Sequence, residues 1–249
     1  MRAIIGRTGG TSKIKKKIID LIPPHKTFVE PFIGGGSVFF GREDRSDVEV
    51  INDKDPDIYH IYKDTQQLGD QLKTADFTGN KAKFERLKKQ TKFKSNKDRL
   101  YRNIYLSINS FRSDRRQYNE YKHKEQKSKP GKTFREAGFQ ERLKGVKIFN
   151  QDYDKIIKKF DAPDTFFYLD PPYSRAESNK DYEFNSIDIE DLNKILRKLK
   201  GKFLLSYDDT PAARKVIKGF KIATRQTQYE LGEGKKKEVK KLLISNYNY

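Results

Sequence analysis

A repeated order of strand, turn and helix is the feature that most restricts the fold of this chain. Residues 27–30 have strand-forming side chains, glycines occupy 34–36, an apolar helix start lies at 38–40, and residues 48–53 form a second strand pattern. Strand, glycine-rich turn, helix and strand in this order are typical of a βαβ unit in an open, mostly parallel sheet. The sequence therefore predicts an α/β fold with helices on both faces of the sheet.

The C-terminal half repeats this order. Residues 165–169 are almost continuously apolar, as a parallel strand buried on both faces should be. Asp188 is the predicted N-cap of a helix that Gly201 would end, and Thr210 before Pro211 has the residue types of another helix start. Further strands are predicted at 146–149, 203–206 and 242–244, helices at 14–22 and 153–160, and a basic loop at 235–241.

The net charge of +19 is concentrated in one segment. Residues 81–147 contain 22 Lys and Arg against 7 Asp and Glu, with Phe and Tyr interspersed. Cations mixed with aromatic rings bind phosphates and stack on bases. The alternative interpretation of this segment is a solvated helical face with its own small core. We predict a core domain of residues 1–62 and 149–249, and a polar, mostly helical domain of residues 63–148 that binds nucleic acid.

Composition excludes several classes of site. The chain has no cysteine and three scattered histidines, His25, His60 and His123. A disulfide scaffold and a thiolate metal site are therefore excluded, and we expect no metal. A run of 18 apolar residues and an apolar signal core are also absent, so we expect an intracellular protein that is not secreted and has no membrane partner.

Two turns carry residues suited to chemistry. The first is Glu-Pro-Phe-Ile-Gly-Gly-Gly-Ser at 30–37, where glycines let a ligand approach the backbone, and Asp53 ends the next strand. The second is Asp-Pro-Pro-Tyr at 170–173, directly after the apolar strand. Its prolines would fix the Asp170 carboxylate and the Pro171 carbonyl as two acceptors for one exocyclic amino group. A tight turn with a surface acid and a strand-terminating proline turn are the plain structural alternatives.

Together, the two motifs resemble those of the Dam-type S-adenosylmethionine-dependent DNA adenine-N6 methyltransferases. The resemblance covers nearly the whole chain. It implies a Rossmann-like class I methyltransferase sheet with a small helical target-recognition insert. It also implies S-adenosyl-L-methionine as cofactor and double-stranded DNA as partner, and we expect a monomer or weak dimer.

The resemblance assigns roles residue by residue. The catalytic residues that it implies are Asp170, Pro171, Pro172 and Tyr173. The implied cofactor-binding residues are Arg7, Gly10, Thr11, Lys13, Glu30, Pro31, Phe32, Gly34, Gly36, Ser37, Asp53, Asp152, Tyr153 and Asp170. The implied DNA-binding residues are Arg112, Arg115, Arg116, Tyr118, Asn119 and Lys122.

Two segments depart from the family pattern. Similar enzymes have Gly-Gly-Lys where residues 9–13 read Gly-Gly-Thr-Ser-Lys, so either Lys13 replaces the missing cation or cofactor binding is altered. The Asn-Gly pair of the recognition segment is replaced by Arg-Ser-Asp-Arg-Arg at 112–116. The GATC preference of the best-known members therefore does not transfer, and we expect at least one of these arginines to read base edges and the others to contact phosphate.

The implied reaction is methyl transfer to the N6 amine of an adenine rotated out of the duplex, with Tyr173 stacked on the extruded base. The same turn would serve an RNA adenine or the N4 amine of a DNA cytosine. A catalytically silent DNA-binding protein of the same fold is the remaining alternative.

Overall fold

A computed structural model describes residues 1, 3–6, 11–72, 74–120, 138–172, 187–232 and 235–249. In this part of the chain, seven strands form one sheet in the order β3-β2-β1-β4-β5-β7-β6. The strands are β1 Thr27–Glu30, β2 Val48–Asn52, β3 Lys147–Phe149, β4 Thr165–Leu169, β5 Lys202–Asp208, β6 Lys221–Gly232 and β7 Lys235–Ser245. The first five pair in parallel, and β7 pairs antiparallel with both β5 and β6. The predicted open, mostly parallel sheet is confirmed.

Helices cover both faces of the sheet, as predicted. They are α1 Thr11–Ile19, α2 Ser37–Gly41, α3 Pro56–Leu68, α4 Lys81–Lys88, α5 Asn96–Asn109, α6 Phe139–Leu143, α7 Tyr153–Phe160, α8 Ile189–Leu196 and α9 Pro211–Val216. Successive strand residues alternate between two apolar clusters, so Phe28 packs in the cluster of α1–α6 and Val29 in that of α7–α9. None of the helices in the described ranges is long and apolar enough to cross a membrane.

The basic insert shares the core of the sheet. Leu100 and Ile104 of α5 lie in the same apolar cluster as Phe28 of β1, and Arg99 of α5 donates two hydrogen bonds to the buried carboxylate of Asp64 in α3. The predicted domain boundaries at 62/63 and 148/149 fall within α3 and β3, and the division into two domains stays a prediction.

Two elements differ from the prediction. The residues predicted as a basic loop, 235–241, lie in β7 and pair with β6, which the sequence pattern did not indicate. Successive side chains of a strand point to opposite faces, and accordingly Lys240 is exposed and Lys241 is buried. The helix predicted to end at Gly201 ends at Leu196, where the Arg197 N–H caps it by donating to the Asn193 carbonyl.

Candidate active site

The glycine-rich turn after β1 is built so that only glycine fits. Gly34 and Gly36 have φ angles of 47° and 73°, a region that favours glycine. A Cβ on Gly36 would lie 2.8 Å from a Phe40 ring carbon and 3.0 Å from the Tyr62 hydroxyl. That hydroxyl donates to the Gly34 carbonyl oxygen at 2.7 Å, so α3 fixes the turn from one side.

Asp53 fixes the same turn from the other side. Its Oδ2 accepts the Gly34 N–H at 2.9 Å, and its Oδ1 accepts the Asp55 N–H at 3.0 Å. Both carboxylate oxygens therefore have a defined direction at the carboxyl edge of the sheet. Asp53 was predicted to bind ribose hydroxyls, and its position after β2 is consistent with that proposal.

The buried side chain of Asn52 joins three strand ends. It donates to the carbonyls of Pro31 at 2.9 Å and Gln151 at 3.0 Å, and it accepts the Gln151 N–H at 2.9 Å. The turns after β1, β2 and β3 are thereby held at fixed spacing. The sequence shows only an Asn before Asp53, and no pattern reveals these partners.

An open surface groove of about 360 Å³ lies at the residues that follow β2 and β3. It is lined by Lys54, Asn150, Gln151, Asp152 and Lys155. Lys54 contacts Asp152 at 2.7 Å and holds the pKa of that carboxyl below its usual value. The predicted cofactor-binding rings of Phe32 and Tyr153 pack on each other at 5.2 Å between centroids.

Asp170 and Glu30 connect the two motifs. Asp170 follows β4, and its side chain is 22% exposed. Glu30 ends β1, is 2% exposed, and its Oε2 has no hydrogen-bond partner in the described structure. Burial raises the pKa of Glu30 well above its usual value, and the nearby charge of Asp170 raises it further. The two carboxyl groups thus share one edge of the sheet.

The other predicted site residues lie at several places in the fold. Pro171 is buried, Ser37 is the first residue of α2, and Lys13 is exposed in α1, which begins at Thr11. Arg112 lies in the short 3-10 helix Phe111–Ser113. Pro172 is partly exposed. The residues that lie outside the described ranges are Arg7, Gly10, Lys122 and Tyr173.

The predicted recognition segment forms a closed loop after α5. Ser110 and Tyr118 form an antiparallel bridge, and the Phe111 N–H donates to the Gln117 carbonyl at 2.9 Å. The Ser110 hydroxyl accepts the Arg115 N–H at 2.9 Å. Ser113 and Arg115 adopt positive φ angles of 56° and 65°. This tight loop carries its side chains on a fixed backbone.

The structure places the predicted DNA-binding residues in different surroundings. Arg115 is 12% exposed and pairs with Asp55 and, at 3.8 Å, with Asp57, both at the start of α3. Arg116 is exposed. Tyr118 packs edge-on against Phe84 of α4, and the Asn119 N–H donates to the Asn109 carbonyl. Arg115 and Tyr118 therefore anchor the loop, which the sequence pattern alone did not indicate.

We expect Arg115→Ala and Arg116→Ala to have separable effects. Arg115→Ala should lower the free energy of unfolding by about 1–3 kcal/mol, because Asp55 loses a charged donor in a partly buried position. Arg116→Ala, at an exposed position, should affect stability less than Arg115→Ala does, weaken binding to all DNA sequences alike, and reduce the salt slope by about one unit. Urea titration, together with binding to cognate and scrambled duplexes across a salt series, measures both. Equal stability of the two variants would contradict the anchoring role of Arg115.

Within the ranges that the structure describes, no group of three or more His, Cys, Asp or Glu side chains is placed to hold a metal ion.

A mostly parallel sheet, a glycine-rich turn after β1 and an acid after β2 are features of Rossmann-like α/β enzymes that bind a nucleotide cofactor. Residues 8–231 match the model of one family within this class. The chain belongs to the D12 class N6 adenine-specific DNA methyltransferase family, and it is an adenine-specific DNA methyltransferase.

Three curated relatives align with almost the whole chain. The type II methyltransferase M.MjaIII of Methanocaldococcus jannaschii is 26% identical over 288 aligned positions, which cover 96% of each chain. M.CviBI of Paramecium bursaria Chlorella virus NC1A is 24% identical, covering 92% of this chain and 90% of its own length. M1.LlaDCHI of Lactococcus lactis subsp. cremoris is 24% identical, covering 96% and 93%. Both of these are also type II methyltransferases by name.

Proposed function

We propose that this enzyme transfers the methyl group of S-adenosylmethionine to the N6 amine of an adenine rotated out of double-stranded DNA, at a specific sequence, as a type II methyltransferase. The supporting observation is the meeting of two motifs at one edge of the sheet. β1 and β4 are neighbouring parallel strands, so Glu30 at the end of β1 and Asp170 directly after β4 lie at the same edge. A methyl donor in the first turn and an amine at the second would therefore be neighbours.

The residues at this edge fit the proposed cofactor. S-adenosylmethionine carries a positive sulfonium and an ammonium, and Glu30 offers a buried oxygen without a hydrogen-bond partner in the described structure. A cation beside Glu30 would oppose the effects of burial and of Asp170 on its pKa. Each oxygen of Asp53 can accept two hydrogen bonds, which suits a ribose diol. When bound, the cofactor supplies a methyl group already activated by its positive sulfur.

The turn after β4 is suited to activating an exocyclic amine. The N6 lone pair of adenine is delocalised into the ring, so the amine is a poor nucleophile. Hydrogen bonds from N6–H to the Asp170 carboxylate and the Pro171 carbonyl would favour a more tetrahedral nitrogen, whose lone pair is directed at the methyl group. The chain thereby contributes orientation and charge stabilisation to an in-line displacement.

DNA binding is assigned to the basic insert. Adenine N6 is inaccessible to the catalytic turn inside a base stack, so the base must be extruded at a cost of a few kcal/mol. Lys and Arg of the insert, Arg116 among them, would hold the phosphates, and Arg112 is the proposed base reader at the recognition loop. Tyr173, directly after Pro172, would stack on the extruded ring.

The direct test is transfer of tritiated methyl groups to unmethylated genomic DNA, followed by sequencing for modified bases. We expect N6-methyladenine at one recurrent sequence. Label in RNA alone, or N4-methylcytosine in DNA, would overturn the assignment of the substrate. Absence of both label transfer and S-adenosylmethionine binding would identify a silent DNA-binding protein.

Asp53→Ala should weaken S-adenosylmethionine binding by about 1–3 kcal/mol, because a charged acceptor for the ribose hydroxyls is lost. Calorimetric titration of the methyl donor measures this change. Asp47→Ala, which removes an exposed carboxylate at the amino end of the same strand, is the matched control and should bind the donor like the wild type. Equal affinity in both variants would refute the ribose role of Asp53.

A further inference from the structure

We propose that Lys241 is a positioning residue that holds the Asp170 carboxylate in the orientation required by the target amine. The inference rests on the proposed role of Asp170 and adds a residue that the motifs do not contain. Lys241 lies on β7, and its side chain is 0% exposed. Its Nζ lies 3.5 Å from Asp170 Oδ1 and 3.5 Å from the Ser206 hydroxyl.

Strand pairing explains how a lysine of β7 reaches the active-site edge. Lys241 is paired with Asp208 near the carboxyl end of β5. Leu243, two residues further on, packs in the same apolar cluster as Leu204 of β5 and Tyr168 of β4. Side chains two residues apart on a strand share a face, so Lys241, opposite Asp208, lies diagonally to Ser206, which is opposite Leu243. The Lys241 side chain thereby reaches both Ser206 and Asp170, the residue that follows β4.

Because the Lys241 ammonium is buried, its contact with Asp170 differs in energy from an exposed ion pair. An ammonium that is removed from water must be compensated by an opposite charge or by hydrogen bonds, and losing its partner is costly. The carboxylate 3.5 Å from Lys241 Nζ is the same group proposed to bind the amine. Lys240, one residue earlier in β7, is exposed, so it provides an internal comparison of the same residue type on the same strand.

A fixed carboxylate matters for the reaction. The amine must present its lone pair along the axis of the bond that breaks, and a displacement of about 1 Å in a positioning group can cost about 10²-fold in rate. By holding Oδ1, Lys241 would restrict rotation of the Asp170 carboxyl group about its Cβ–Cγ bond. Loss of Lys241 should therefore slow methyl transfer while leaving DNA and cofactor binding intact.

The experiment compares Lys241→Met with Lys240→Met in single-turnover methyl transfer to a cognate duplex. We expect Lys241→Met to be slower by about 10- to 100-fold, with dissociation constants for DNA and S-adenosylmethionine within about threefold of wild type. Lys240→Met should match wild type in all three measurements. Lys241→Arg, which keeps a cation, should recover part of the rate. Wild-type rates in Lys241→Met would overturn the proposal, whereas absence of adenine methylation by the wild-type protein would instead overturn the proposed function.

A double-mutant cycle separates positioning from a merely structural role. If Lys241 acts through Asp170, Lys241→Met should cause no further loss of rate in an Asp170→Asn background. If the two substitutions instead lowered the rate independently, so that their fold-losses multiplied in the double variant, the proposal would be contradicted. Should Lys241→Met not fold, the wild-type lysine is followed directly by ¹⁵N NMR of the side-chain amines. Asp170→Asn is then expected to shift one buried lysine signal, and an unchanged spectrum would overturn the contact.

Discussion

Asp170→Ala should abolish methyl transfer while DNA binding persists. The single-turnover rate is expected to fall by at least about 10²–10³-fold, the usual cost of losing one group that stabilises charge in a transition state. Loss of the carboxylate acts on the reacting amine, whereas the phosphates are held by the insert, so the effect should appear in the rate constant and not in the DNA dissociation constant.

Two further variants test whether the loss of rate is specific to the Asp170 carboxylate. Asp164→Ala removes an exposed carboxylate at the amino end of the same strand and should leave the rate unchanged. Asp170→Asn preserves side-chain size and isolates the charge, since Asp170→Ala also deprives the buried Lys241 of a partner at 3.5 Å. A near wild-type single-turnover rate in either Asp170 variant would show that another group binds the amine.

The central strand β4 of the parallel core could be predicted because it is apolar on both faces. Thr165–Leu169 is buried at every position, and its bounds match the predicted ones. The site acids could also be placed, since parallel strands that each end in an acid bring those acids to one edge. The positions of Asp53 after β2 and of Asp170 after β4 at the same edge of the sheet follow from this rule.

Residues whose role depends on a distant partner could not be predicted. A lysine within a basic run is usually solvated, and only the pairing of β7 with β5 shows that Lys241 is buried. Arg115 has the residue type of a base reader, but packing of α5 on α3 brings it to Asp55. The strand β6 was missed because it lies at the edge of the sheet and its sequence is largely polar.

A buried ion cluster behind the active site gives the largest expected effect on stability. Glu49 of β2 is 6% exposed and accepts hydrogen bonds from Arg42 at 3.1 Å and from Arg142 of α6 at 2.9 Å. Each guanidinium also stacks on a ring, Arg42 at 3.9 Å from the Phe28 centroid and Arg142 at 3.8 Å from that of Phe39. Burial lowers the pKa of Arg42, and Glu49 opposes that shift. One carboxylate thus compensates two buried cations and ties α6 to the sheet.

Glu49→Ala should therefore lower the free energy of unfolding by about 3–5 kcal/mol, the usual cost of breaking a buried ion pair by removing one partner. Both guanidiniums would stay buried and repel each other. Urea titration measures the change, and an unchanged slope with denaturant would show that the loss lies in the folded state.

Asp191→Ala, which breaks an exposed pair with Lys194 in α8, is the matched control and should unfold at the wild-type midpoint, because exposed ion pairs contribute little. If Glu49→Ala unfolded at the same midpoint as this control, the two arginines would be compensated by other groups, and α6 would not depend on β2 for its position.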